Sequence, residues 1–223
     1  MSREKTEHLI MNEQDGGSIM MDGQVLKKVT DFKYLGSVLS SSGGCRNDIQ
    51  KRISTGLLKW RGLTSILCDP RVPRKMKGKI YKTVVRPAML YGSECWAVTK
   101  RDENALAVAE MRMLRCATGI TRRDRVRNEE TRKRLGVRDI ADKVKGRRLQ
   151  WFGHIERRPD DYVGKMVNKM RALTKKRQGG QPMTWRRCIN GDMHELGIVK
   201  ELAEDREQWK KCTCMADPAT QRE

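Results

Sequence analysis

The hydrophobic period of this chain changes at Gly43-Gly44, and that change constrains the fold more than any other feature. Before it, the runs HLIM and VLKKVTDFKYLGSVL are rich in strand formers and are punctuated by Gly16-Gly17, Asp22-Gly23 and Gly43-Gly44. Asp22-Gly23 between two apolar runs predicts a tight hairpin. After it, Ile49, Ile53, Leu57, Trp60 and Leu63 recur at helical spacing and predict one buried helix face. Met76, Ile80 and Val84 repeat the pattern over 74–86, up to Pro87, which is expected to break or kink that helix. A third helix is expected over 102–118, with Leu106, Met113 and Leu114 inward, a Thr99–Asp102 capping box and Gly119 as its left-handed stop. A short helix follows from Asn128 to Leu135 and ends at Gly136. Residues 139–158 predict a long helix with Ile140, Val144, Trp151, Phe152 and Ile155 as its apolar stripe. An amphipathic segment at 160–173 carries Val163, Met166, Val167 and Met170. Two last helices, 184–196 and 199–211, are expected to pair through Trp185, Ile189 and Leu196 against Leu202 and Trp209. The fold class is therefore α+β, mainly α: an N-terminal β-hairpin region followed by helices.

Charge narrows the partner. The 223 residues carry 48 Lys and Arg against 28 Asp and Glu, a net of +20. Residues 45–120 hold a net +10 and residues 121–187 a net +14, whereas 1–44 and the last 36 residues are net −1 and −3. The basic block is thus internal, which favours a polyanion, with nucleic acid ahead of an anionic membrane surface. No apolar run approaches the ~18 residues of a membrane span. Seven cysteines without regular spacing, and no signal peptide before them, point to reduced thiols in a nuclear or cytoplasmic, non-secreted protein. Cys188, His194, Cys212 and Cys214 are a weak candidate zinc set whose spacing fits no familiar knuckle or finger, so no metal site is assigned. Cys45, Cys68, Cys95 and Cys116 read as small buried hydrophobes.

Five stretches carry a resemblance: REKTEHLIM at 3–11, FKYLGSVLSSSGG at 32–44, YKTVVRPAMLYGSECW at 81–96, EMRMLRCATGITRRDRVRN at 110–128 and RRLQWFGHIERR at 147–158. QPMTWRRCINGDM at 181–193 with LAEDREQW at 202–209 matches more loosely. In this order they resemble the C-terminal part of non-LTR, LINE-type retrotransposon endonuclease-reverse transcriptases, closest to the RTE-like group. The resemblance implies a palm remnant with the primer-grip hairpin at 1–44, a helical thumb-like domain at 45–136 and a basic helical extension at 137–173. A linker at 174–182, a C-terminal helical hairpin at 183–214 and a disordered tail at 215–223 complete the expected layout. The family's catalytic aspartates, fingers and endonuclease domain have no counterpart here, so a chain without catalysis of its own is expected.

The site residues follow. Lys5 matches the lysine of the late palm motif. Phe32, Tyr34, Leu35 and Gly36 match the primer grip, where a tight hairpin brings backbone close to primer phosphates; Phe32, Tyr34 and Val38 are also readable as alternating residues of one strand face. Arg122, Arg123, Arg125 and Arg127, with Arg112 and Arg115 upstream, are spaced to grip successive phosphates, with Asp124 to orient one of them. Lys143, Lys145, Arg147, Arg148, Arg157 and Arg158 form the basic side of the long helix, beside Trp151 and Phe152, which read as core more readily than as stacking platforms. The hairpin, the arginine loop and the long helix are expected to line one positive groove for RNA, DNA or a hybrid, held mainly through phosphates. No cofactor is expected; Mg²⁺ would belong to a complete enzyme of the family. Two alternatives stand beside this reading. In one the chain completes an RNA-directed DNA polymerase whose palm lies upstream or on another chain. In the other it is the product of a decayed element with no selected function.

Overall fold

A computed structural model describes residues 6–11, 17–170 and 183–218. Lys5 and the segment read as a linker, 174–182, lie outside the described residues.

The described residues up to Ser40 fold into paired short strands. β1 (Glu7–Leu9) pairs in parallel with β4 (Lys27–Val29), β2 (Met20–Met21) antiparallel with β3 (Gln24–Val25), and β5 (Asp31–Tyr34) antiparallel with β6 (Ser37–Ser40). Asp22 and Gly23 both take positive φ, as do Leu35 and Gly36, so each antiparallel pair is closed by a two-residue turn whose twist suits the strands. The register sets Phe32 opposite Leu39 and Tyr34 opposite Ser37. Directly opposed residues share a face, so Val38 faces away from Phe32 and Tyr34, contrary to the single-face reading.

The helical part is built on two clusters. The larger joins α1 (Arg46–Arg61), α2 (Thr64–Leu67), α3 (Arg74–Ile80), α4 (Arg86–Met89), α5 (Lys100–Thr118), α6 (Asn128–Leu135) and the start of α7 (Ile140–Glu156) around Ile49, Trp60, Tyr81, Met89, Leu106 and Leu114. α3 continues into α4 through a π-helical stretch, Tyr81–Val85. Pro87 therefore does not end the helix: its missing N–H falls in the first turn of α4, beyond the wide turn. The buried stripe also lies one residue along from expectation. Met76 and Val84 are exposed, while Lys77, Tyr81, Val85 and Met89 face inward. α5 carries the capping box at Thr99 and Asp102 and ends at Gly119 with φ 68°, and α6 ends at Gly136 with φ 59°.

The smaller cluster joins the second half of α7 to α9 (Trp185–Leu196), a 3₁₀ turn at Lys200–Ala203 and α10 (Arg206–Thr213). Phe152 sits between the Trp185 and Trp209 rings, 6.3 and 5.9 Å between centroids, and Leu196 and Leu202 pack alongside. Trp185, Ile189 and Leu196 thus share a cluster with Leu202 and Trp209, but the helix expected over 199–211 is a 3₁₀ turn followed by α10, and α9 and α10 each pack on α7. α8 (Val163–Lys169) presents Val163, Met166, Val167 and Met170 to solvent and buries nothing. Residues 215–218, read as the start of a disordered tail, instead run back along α7: Met215 is buried and Asp217 is held by Arg86. Among the described residues no helix is long and apolar enough to cross a membrane.

Candidate nucleic-acid interface

The β5–β6 hairpin is seated by charges set inside the apolar stripe of α1. Asp48 and Arg52, one turn apart, flank buried Ile49 and Ile53. Asp48 Oδ1 accepts the Val38 N–H at 3.0 Å, and Oδ2 accepts the Trp96 indole N–H at 2.8 Å. Arg52 Nη2 donates to the Gly36 carbonyl at 2.6 Å and to Ser37 Oγ at 3.4 Å. Its guanidinium lies 4.5 Å from the centre of the Tyr91 ring, and the Tyr91 hydroxyl donates to the Leu35 carbonyl at 3.3 Å. Both turn carbonyls are thereby fixed. Phe32 is half-buried, whereas Tyr34 and Leu35 project from the tip, 59% and 76% exposed. Gly36 needs its φ of +86°, which an L side chain adopts only with strain. Asp48, Arg52, Tyr91 and Trp96 were missed by sequence reasoning. The available signal was an Asp–Arg pair at i,i+4 within an otherwise apolar face.

The arginine loop is built from beneath. Arg115, on the last turn of α5, donates to the Thr121 carbonyl at 3.2 Å, the Val126 carbonyl at 2.9 Å and Asn128 Oδ1 at 3.1 Å. Asp124 Oδ2 accepts the Thr121 N–H at 2.7 Å and its hydroxyl at 2.9 Å, bonds that hold the Asp124 carboxyl below its ordinary range. Asp124 therefore closes the loop and orients no arginine. Arg115 is likewise a scaffold residue and not a free cation. With the backbone satisfied from inside, Arg122, Arg123, Arg125 and Arg127 are all exposed and pair with no carboxylate among the described residues. Arg112, exposed on α5, shares with Arg115 and Arg122 a groove of about 580 Å³ floored by Val108, Met111 and Ile120.

The long helix behaves differently. Arg148, 2% exposed, forms a two-pronged pair with Asp192 at 2.8 and 3.0 Å; burial raises the Asp192 pKa and the guanidinium opposes that rise. Lys145 pairs with Glu195 at 2.6 Å, Arg147 donates to the Leu90 carbonyl at 2.5 Å, and Arg157 donates to the Ala203 carbonyl at 2.7 Å. Lys143 reaches the Met215 carbonyl and Asp217. Only Arg158 is exposed, 3.3 Å from His154 Nε2 and over the Tyr162 ring. Trp151 stacks on His154, with 5.2 Å between centroids, and Phe152 is core. The basic side of α7 is a set of internal tethers and not one wall of a groove.

Nor does the fold bring the hairpin to the loop. Trp96 and Asp102, at the start of α5, lie beside the hairpin seat and the N-terminus of α1, whereas Arg115 and the loop lie at its far end. Along the α5 axis Asp102 and Arg115 stand about 20 Å apart. The cysteines are all free thiols; Cys188 is buried, while Cys95 and Cys116 are exposed, contrary to the expectation of buried hydrophobes. Among the described residues no three His, Cys, Asp or Glu side chains are placed to hold a metal, so Cys188, His194, Cys212 and Cys214 are not gathered into a site.

The chain has known relatives at low identity. The chain is similar to an uncharacterized transposon-derived protein of Caenorhabditis elegans, 26% identical over 196 residues covering 82% of this chain and 70% of that protein. It is also similar to an RNA-directed DNA polymerase from the mobile element jockey of Drosophila funebris, 25% identical over 157 residues that cover 69% of this chain and 17% of that enzyme. No family profile and no solved structure matches. The two relatives support a retrotransposon-related origin.

Proposed function

We propose that this chain is a strand-holding part of a LINE-type reverse transcriptase, acting without polymerase chemistry of its own and binding RNA, DNA or a hybrid through phosphates. The observation that carries the reading is the loop 121–127, four outward arginines on a backbone held by Arg115 and Asp124. The seated hairpin, with Tyr34 and Leu35 projecting, supplies a second contact in the manner of a primer grip. The working surface is thus Arg112, Arg122, Arg123, Arg125 and Arg127 at one end and the hairpin tip at the other, without α7.

The test is titration of a labelled nucleic-acid hairpin at 50 and 200 mM salt. Each phosphate contact adds about 0.9 to the slope of log affinity against log salt, so replacing Arg122, Arg123, Arg125 and Arg127 by Ala should flatten that slope by about 3 to 4. Equal affinity of the unmodified protein at the two salt concentrations would overturn the reading. Primer extension by the purified chain would overturn its non-catalytic part.

A second reading, association with a separate palm, is favoured by β1 and β4. They form a parallel pair with no third strand among the described residues, and parallel sheets are normally buried on both faces. Size measurement of the protein mixed with a complementary palm fragment tests it; two independent species would count against it.

A further inference from the structure

We propose that the pocket between α4, the turn before α7 and α7 itself is a phosphate-binding subsite that the chain fills with its own Asp217. This goes beyond the nucleic-acid reading and rests on it only for the source of the phosphate, a backbone phosphodiester.

The geometry is that of an anion receptor. Arg86, 8% exposed, meets Asp217 fork to fork, Nη1 to Oδ1 at 2.7 Å and Nη2 to Oδ2 at 2.6 Å. The Arg138 N–H donates to Oδ1 at 2.9 Å, and Lys143 Nζ lies 3.2 Å from Oδ2. Burial pushes the Asp217 carboxyl upward, but Arg86, the Arg138 N–H and Lys143 outweigh it and hold it well below its ordinary value. Beside this pair Arg86 and Lys143, with Lys82 and Arg147, line a cavity of about 240 Å³. Arg86 and Lys143 contact the carboxylate, while Lys82 donates to the Gly136 carbonyl at 3.0 Å and Arg147 to the Leu90 carbonyl. A guanidinium fork, a backbone N–H and an ammonium converging on two oxygens also suit the two non-bridging oxygens of a phosphodiester.

Arg86 sits in the helix interior and must keep an anion, because a buried unpaired charge is strongly unfavourable. That anion comes from 131 residues away, on a tail that is otherwise lightly held. Beyond Asp217 the hold among the described residues consists of buried Met215 and the Lys143 bond to its carbonyl. The tail lies so close to α7 that a Cβ at Gly146 would stand 2.9 Å from Met215 Cγ and 3.2 Å from the Thr213 carbonyl. A phosphate entering the pocket replaces every bond that Asp217 makes, so exchange leaves Arg86 paired throughout. The acidic end of the chain then acts as a plug on its basic middle.

The experiment uses the full chain, with D217A opening the pocket directly and G146A crowding out the tail while leaving every ligand in place. Each is measured with the labelled nucleic-acid hairpin, and with inorganic phosphate against chloride at equal ionic strength in a thermal melt. Both variants should bind the hairpin about three- to fivefold tighter than the unmodified protein, the scale of one added phosphate contact. D217A should melt higher in phosphate than in chloride, and K143Q on that background should remove both gains. Unchanged or weaker hairpin binding by D217A, where the unmodified protein binds, would overturn the proposal. So would a phosphate response that survives K143Q. If no variant binds the hairpin while D217A still gains stability from phosphate through Lys143, the subsite stands and the nucleic-acid reading falls.

Discussion

In the loop between α5 and α6 four arginines point to water, whereas on and just beyond α7 five of six cations end on a carbonyl or carboxylate of the same chain. The two regions are alike in composition. Neighbouring elements separate them. The loop is braced by Arg115 and Asp124, and its four arginines meet no carboxylate among the described residues. α7 is packed on both sides, by the larger cluster through Ile140 and Val144 and by α9 and α10 through Leu149 and Phe152. A cation on a helix clasped in this way finds an internal acceptor or is not tolerated. Local charge density therefore does not locate a binding surface; the number of packed faces does.

The largest expected effect breaks the comparison at Arg148. Replacement by Met leaves the Asp192 carboxylate buried without its partner and should cost about 3 to 5 kcal/mol in chemical denaturation. Loss of hairpin binding by R148M at a temperature where it is still folded would contradict the division drawn here. The four loop arginines should give the mirror result: a fall in affinity on replacement, with stability changed by no more than about 0.5 kcal/mol at each position.

Much of the fold was legible in the residues. Thr99, Asp102 and Gly119 fix both ends of α5, and Asp22-Gly23 marks its hairpin, because capping and turn geometry are local. Ile49, Ile53 and Trp60 mark the buried face of α1. The inward turn of the α7 cations was not legible from periodicity, which finds one apolar stripe and assigns the remainder to solvent. The clue lay in two glycines seven residues apart. A Cβ at Gly153 would stand 2.3 Å from the Trp209 indole nitrogen, as one at Gly146 would crowd Met215. Small residues two turns apart on a helix mark a second packed face, and that face carries Lys143 and Arg157. The seat of the primer-grip-like hairpin was hidden for a related reason. Asp48 and Arg52 bond to residues ten to forty-eight positions away, which no short-range pattern reports.

Glu110 sharpens the comparison from the acidic side. It is fully buried, accepts from Arg132 Nε at 2.9 Å and from the Tyr81 hydroxyl at 3.0 Å, and burial pushes it up to about 7 against the pull of Arg132. The unfolded carboxyl titrates near its ordinary value of about 4.3, so between that value and about 7 the folded protein holds a proton that the unfolded chain has released. Stability on this account is greatest below about pH 4.3, falls as pH rises towards 7, and flattens above it. E110Q should remove that slope from a series of melts. A slope unchanged by E110Q would place the titration elsewhere. At the hairpin seat, G36A should cost about 1 to 2 kcal/mol through its positive φ, measured in the same denaturation.

The smallest effect tests whether every internal tether of α7 is structural. Lys145 meets Glu195 at 2.6 Å, but the carboxylate is 60% exposed, so water competes for it and salt screens it. K145A should therefore change stability by less than about 0.5 kcal/mol, a tenth of the Arg148 effect on the same helix and three residues away. The two substitutions remove the same unit charge. A ratio near one would mean that charge on α7 matters in itself, through the field of the whole basic block. The large ratio expected here would mean that desolvation of the partner sets the cost, and that the Lys145 ammonium, unlike the Arg148 guanidinium, could pass to a phosphate without disturbing the fold.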